Sequence, residues 1–142
     1  MTGVSKVTIL KLLKAVGTSC ADYHDRRLRN LNCKRIQCDE IWQFVYTKEK
    51  NVPAKKKGQF GYGDVWTWVG IDADTELVPS LMVGNRDART AKIFIDDLAS
   101  RLAHRVQLTT DGLKAYLEAV EGALGCEIDY ARVTPAMEAG LT

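Results

Sequence analysis

An α/β architecture around one mixed five-stranded sheet follows from three features of these 142 residues. The first half alternates apolar and polar positions as strands do. The second half inserts two amphipathic helical stripes between short strand-like runs. Turn-forming residues stand at nearly every joint.

At the front, Ser5 reads as a helix N-cap, with Val4 able to pack on Ile9 as a hydrophobic staple. Ile9, Leu12, Leu13 and Val16 then repeat at i, i+3, i+4 and i+7, and Gly17 is expected to stop this short N-terminal helix. Residues 25–29 are polar and basic and read as a connector.

Residues 35–46 alternate. Ile36, Cys38, Trp42, Phe44 and Tyr46 share one strand face, with Glu40 the exception, while Asp39, Ile41, Gln43 and Val45 share the other. Residues 48–63 are rich in Lys and Gly and read as a surface loop. Residues 65–71 are aromatic and β-branched, which predicts a central strand buried on both faces. Residues 72–75 are a turn. Residues 77–83 read as a third strand, and Pro79 confines it to an edge or a bulge.

Asp87 is then placed to cap a helix whose stripe is Ala91, Phe94, Ile95, Leu98 and Leu102. Residues 106–110 form a short strand ending at Asp111. Leu113, Tyr116, Leu117, Val120 and Leu124 form a second stripe closed by Gly125, and residues 128–133 are a fifth strand. Short links among the first three strands predict an antiparallel meander. The helical crossovers predict later strands parallel to the first. Ligands of such a sheet bind beyond the carboxyl ends of its parallel strands.

Apolar residues make up 46% and charged residues 27%, which excludes disorder and collagen. No apolar run approaches the roughly 20 residues of a membrane helix, so no membrane contact is expected. Four cysteines without framework spacing suggest a reducing, cytoplasmic setting. The net charge of +2 conceals an asymmetry: residues 1–35 sum to +6 and the remainder to −4. A basic front on an acidic body suits a polyanion partner, or it is simply a solvated arm.

A carboxylate inside a half-buried strand is costly unless paired, hydrogen-bonded or metal-bound, which singles out Asp39; the alternative is an Asp that faces solvent or pairs with a Lys or Arg. Asp111 ends the fourth strand, where an N-cap is the commoner role. If strands one and four are neighbours, both acids enter one crevice. That donor set is a hard oxygen site for Mg²⁺ or Mn²⁺, and two ions about 4 Å apart suit phosphodiester chemistry. Asp72 and Asp74 are read as turn residues. No Cys or His pair has zinc spacing, and no helix follows Gly58, Gly61 and Gly63, as a phosphate loop requires. His24 and His104 are isolated. Trp66 and Trp68 share a face and read as core.

Cys-Asp-Glu-Ile-Trp (38–42), Gly-Tyr-Gly-Asp-Val-Trp-Thr-Trp (61–68), Ile-Asp-Ala-Asp-Thr (71–75), Asp-Leu-Ala-Ser-Arg-Leu-Ala (97–103) and Thr-Thr-Asp-Gly-Leu-Lys-Ala-Tyr (109–116) occur in that order. Together they resemble the transposase of IS1-family insertion sequences, over about residues 2–132. The resemblance implies a ribonuclease-H-like core with a DDE triad and two divalent ions, Mg²⁺ or Mn²⁺. The first two acids fall on Asp39 and Asp111. It implies DNA as partner, both element ends and target, and is compatible with a homo-oligomer. The implied activity is metal-dependent cleavage at element ends, followed by attack of the freed 3′-hydroxyl on target DNA.

The match divides the chain. Residues 1–32 resemble a remnant of a helix-turn-helix region plus a basic connector, with residues 2–13 similar to its second helix. Residues 33–133 resemble the catalytic core, and residues 134–142 match nothing in the family. The family's third acid is a Glu on a helix beyond the fifth strand, and Glu138 does not inherit that role. A truncated copy is therefore expected, which binds metal weakly and leaves DNA uncut. The alternative is a catalytically inactive DNA-binding or interaction fragment. Lys6, Lys11, Lys14, Arg26, Arg27, Arg29, Lys34 and Arg35 are expected to contact phosphates, as are Lys55, Lys56 and Lys57 in the loop.

Overall fold

The computed structural model describes residues 3–111, 113–125 and 128–132. The end of the expected fifth strand at Val133, the tail 134–142 and Glu138 lie outside the described residues. The elements run α1 (Lys6–Arg27), β1 (Arg35–Val45), β2 (Gly63–Asp72), β3 (Ser80–Gly84), α2 (Ala88–Arg101), β4 (Val106–Thr110), α3 (Lys114–Ala123) and β5 (Ile128–Arg132). Two single-turn 3₁₀ helices, Glu49–Asn51 and Ala54–Lys56, interrupt the loop after β1. The chain is thus α/β, with a mixed five-stranded sheet in the order β3-β2-β1-β4-β5.

The expected meander is present. β1 pairs antiparallel with β2, and β2 with β3, while β4 lies parallel between β1 and β5. The third strand lies at an edge, as Pro79 required. It begins at Ser80 rather than at residue 77, because the ladder can start only after the residue that lacks an N–H. Tyr46 takes φ 68°, so β1 stops one residue earlier than expected.

α2 and α3 cover one face of the sheet. Their residues Ala91, Phe94, Ile95, Leu98, Tyr116, Ala119 and Val120 pack against Ile36, Cys38, Trp68, Val106 and Leu108, and all of these are buried. Trp68 is fully buried at the centre, with ring centroids 5.9 Å from Phe94 and 5.3 Å from Tyr116. On the other face Ile41, Leu81 and Val83 are exposed. The expectation that β2 is buried on both faces is therefore corrected: Val65, Thr67, Val69 and Ile71 are only half-buried, because among the described residues the helices of the core lie on one side. The apolar face of β1 is also corrected. Ile36, Cys38 and Glu40 are buried, but Trp42 and Phe44 are exposed. β4 pairs with β1 only as far as Cys38, so the far half of the β1–β2 ribbon extends beyond the helical layer.

The largest correction concerns α1. Ser5 caps it as expected, its Oγ accepting from Thr8 N–H at 3.2 Å. Gly17 does not stop it. The helix runs through residues 25–27, which were read as connector. A glycine costs a helix only about 1 kcal/mol relative to Ala and ends one only where φ turns positive, which is not so at Gly17. The pair Asp22–Arg26, at 2.9 Å and i,i+4 spacing, and the Arg27 guanidinium over the Tyr23 ring support the added turns. None of α1's residues is buried. Only its C-terminal end meets the core. His24 Nε2 lies 2.9 Å from the Val78 carbonyl oxygen, and Arg101 donates to Asp25.

Gly84 shows how tightly the β3–α2 junction is built. A Cβ there would sit 2.7 Å from Thr90 Cγ2. Gly84→Ala is expected to lower stability by about 1–3 kcal/mol, the usual cost of overpacking, and Thr90→Ser should recover part of it. Urea midpoints of the single and double variants check this.

Candidate functional site

β1 supplies two acids in succession. Alternation sends Asp39 to the open face, beside Val69, and Glu40 to the face covered by the helices. Their carboxylates nevertheless meet. β4 ends opposite Cys38, so no strand flanks residues 39 and 40 on that edge, and a crevice opens there. Asp111 enters it from the residue after β4. One carboxylate oxygen from each of Asp39, Glu40 and Asp111 lies within 4.8 Å of the others. The expectation that Asp39 and Asp111 share a crevice at the carboxyl end of parallel strands is met geometrically.

Each acid is held differently. Asp39 Oδ1 accepts from the Glu40 N–H at 2.8 Å, a backbone donor that β4 does not reach. Asp111 Oδ1 accepts from the Leu113 N–H at 2.9 Å, so it also serves the turn that leads into α3. Asp111 does not cap α3, whose N-cap is Leu113 without a side-chain hydrogen bond, so the expected N-cap role is corrected to a turn contact. Asp111 Oδ2 receives Arg86 Nη2 at 3.3 Å, and the same nitrogen lies 3.3 Å from Glu40 Oε2. The Arg86 guanidinium stacks over Trp66, 4.9 Å from the ring centroid.

Glu40 is the buried member, with its side chain only 1% exposed. Its Oε1 and the Tyr116 hydroxyl are both buried and make no hydrogen bond within 3.5 Å, though Glu40 and Tyr116 interact with each other. Burial holds the Glu40 carboxyl above its usual range. Asp111 pushes in the same direction, while Tyr116 and Arg86 pull against it. Burial likewise pushes the Cys38 thiol and the Tyr116 hydroxyl up, so neither ionises at neutral pH. The donors facing the crevice are thus hard carboxylate oxygens.

The other acids behave as turn residues. Asp72 accepts from Asp74 N–H and from the Thr75 hydroxyl, and Asp74 pairs with Arg35. That pairing bears on the basic residues. Arg26, Arg29 and Arg35 are bound to Asp22, Asp25 and Asp74. Arg27 lies over Tyr23, and Lys56 lies 4.8 Å from the ring centroids of both Tyr46 and Tyr62. Lys6, Lys11, Lys14, Lys34, Lys55 and Lys57 are exposed cations. Among the described residues all nine lysines of the arm and the loop, Lys48, Lys50 and Lys56 included, stay out of ion pairs, and the arginines largely satisfy acids of this chain.

Glu40 and Arg86 were not assigned roles from sequence. Glu40 left a signal as the one charged residue on an otherwise apolar strand face. Arg86 left none, because its place depends on how the chain crosses from the β3 edge over the sheet to β4. No helix among the described residues is long and apolar enough to cross a membrane. Among known protein families none has a model that matches this chain, and no curated protein matches it.

Proposed function

We propose that this chain carries the acidic centre of a metal-dependent DNA strand-cleaving and strand-transferring core of the IS1-transposase kind, with a ribonuclease-H-like arrangement of strands. The observation that carries the reading is the meeting of Asp39 and Asp111, with Glu40, within 4.8 Å in the crevice beside β1. The strand order and the mixed pairing are those such a core needs.

The donor set fits Mg²⁺ or Mn²⁺: carboxylate oxygens alone, one of them a buried oxygen of Glu40 that makes no hydrogen bond. Asp39 and Asp111 would hold the ion, and Glu40 would add negative charge from beneath. A bound ion would supply Lewis acidity to the attacking and leaving oxygens of an in-line displacement. The exposed Lys55 and Lys57, with Lys6, Lys11 and Lys14 on α1, would hold DNA phosphates without reading sequence. Glu40 shares β1 with Asp39, so it is not the helix-borne third acid of the family.

A second reading, an inactive DNA-binding or interaction fragment, is favoured by α1. That helix presents lysines and an exposed apolar stripe to solvent. Titration of the purified chain with Mn²⁺, followed by the resonance of the free ion, separates the two readings. The first expects saturable binding that Asp39→Asn and Asp111→Asn each weaken at least about tenfold, since each removes one of few charged ligands. Mn²⁺-dependent nicking of labelled element-end DNA is the second measurement. Binding unchanged in both variants would leave the inactive-fragment reading standing.

A further inference from the structure

We infer that Arg86 is the resident second cation of the acidic crevice, so that this site takes a single divalent ion. The inference rests on the metal-site reading above and narrows it from two ions to one.

The Arg86 side chain is 39% exposed, but its neighbours on either side fix where it stands. Arg86 stands between two anchored residues. The Asn85 carbonyl accepts from the buried Trp68 Nε1 at 3.1 Å, and Asp87 caps α2 through the Thr90 N–H at 2.8 Å. Trp66 provides a flat support beneath the guanidinium. From there a single nitrogen, Nη2, reaches Glu40 Oε2 and Asp111 Oδ2 at 3.3 Å each, and Nε lies 3.4 Å from the same Glu40 oxygen. Arg86 thus bridges Glu40 of β1 and Asp111, the residue after β4, and sets a positive charge between two of the three acids.

Charge decides how much room is left. The three carboxyl groups carry at most −3, and Arg86 returns +1. With Arg86 in place one divalent ion offsets what remains, whereas a second would leave the cluster positive beside the buried Glu40. The free ligands agree with this count. Arg86 forms its ion pairs with Glu40 and Asp111 and not with Asp39, and Glu40 Oε1 makes no hydrogen bond within 3.5 Å while Oε2 is taken. The guanidinium takes one oxygen each of Glu40 and Asp111, and an ion would be held by the carboxylate oxygens that it leaves.

The test is the number of Mn²⁺ ions bound per chain, read by free-ion resonance and by equilibrium dialysis on the full chain. The wild type is expected to bind one. Arg86→Gln should bind two, with the first at least about tenfold tighter, because a positive charge a few ångströms away is gone. Arg86→Lys, which keeps a cation at the position and guards against misfolding of the glutamine variant, should bind one. Lys92→Gln removes a cation already paired with Asp96 elsewhere on α2 and should leave both numbers unchanged. Two ions on the wild type, or one on Arg86→Gln with unaltered affinity, would overturn the inference and leave the metal site intact. No saturable Mn²⁺ on the wild type would overturn both.

Discussion

Trp68→Ala is expected to destabilise the chain by about 3–5 kcal/mol, the range for deleting a large buried aromatic. Three losses add up at this position. The indole is fully buried between Phe94 and Tyr116, so the truncation opens a void that the sheet and two helices must line. Two aromatic contacts disappear. The Asn85 carbonyl, which accepts from Trp68 Nε1 at 3.1 Å, loses its partner. Urea unfolding followed by far-ultraviolet circular dichroism measures the change. The substitution should reach the crevice as well. Asn85 precedes Arg86, and Tyr116 lies beside Glu40, so the anchored turn and the floor of the site loosen together. Trp68→Phe, which keeps most of the volume and loses the hydrogen bond, should cost clearly less. Equal costs for the two variants would show that packing contributes little here.

Arg101→Ala is expected to cost about 2–3 kcal/mol, because it removes a set of charge-assisted hydrogen bonds while the acids left behind stay partly solvated. The Arg101 side chain is only 6% exposed. It donates to both oxygens of Asp97 at 2.9 Å, to Asp25 at 2.9 Å and to the Leu28 carbonyl at 3.2 Å. It is therefore the rivet between α2 and the end of α1. Burial alone would raise the Asp97 carboxyl. The hydrogen bonds from Arg101 and from the Ser80 hydroxyl outweigh it and hold the group below its usual range. A lowered folded-state value means stability that is complete above the ordinary carboxylate range and is lost as pH falls through the lowered value. Wild-type urea midpoints should thus drop on acidification, and Arg101→Ala should flatten that dependence. Protease susceptibility near residues 25–32 should rise in the variant as α1 comes free. An acid limb unchanged in Arg101→Ala would assign the pH dependence to other carboxylates.

Much of this architecture is legible in residue spacing. Asp87 and the stripe from Ala91 to Leu98 specify α2, and residues 106–110 specify β4, because local pattern and tertiary packing agree there. Local pattern fails where tertiary context departs from it. Gly17 looks like a stop, but nothing packs on α1 to demand one. Trp42 and Phe44 look like core, but the neighbouring strand ends at Cys38. The pairing of Asp39 with Asp111 is legible because strand order alone implies it. Glu40 is half legible, as an apolar face interrupted by an acid. Arg86 is not, since only the crossover from the β3 edge brings it over the crevice.

The acids of the crevice come from parts of the chain that assemble by different routes. Asp39 and Glu40 ride on a ribbon whose ten cross-strand pairs join segments near one another in sequence. Such hairpins close within microseconds. Asp111 lies 72 residues beyond Asp39 and arrives only when β4 docks in parallel beside β1, a long-range closure that must wait for α2 to cross the sheet. A chain with only this ribbon formed therefore holds two of the three acids and lacks the third. On the proposed reading, an ion that needs Asp111 as well would bind only the finished sheet. It would then act as a latch on the last step of folding, slowing escape from the native state while leaving the early ribbon untouched.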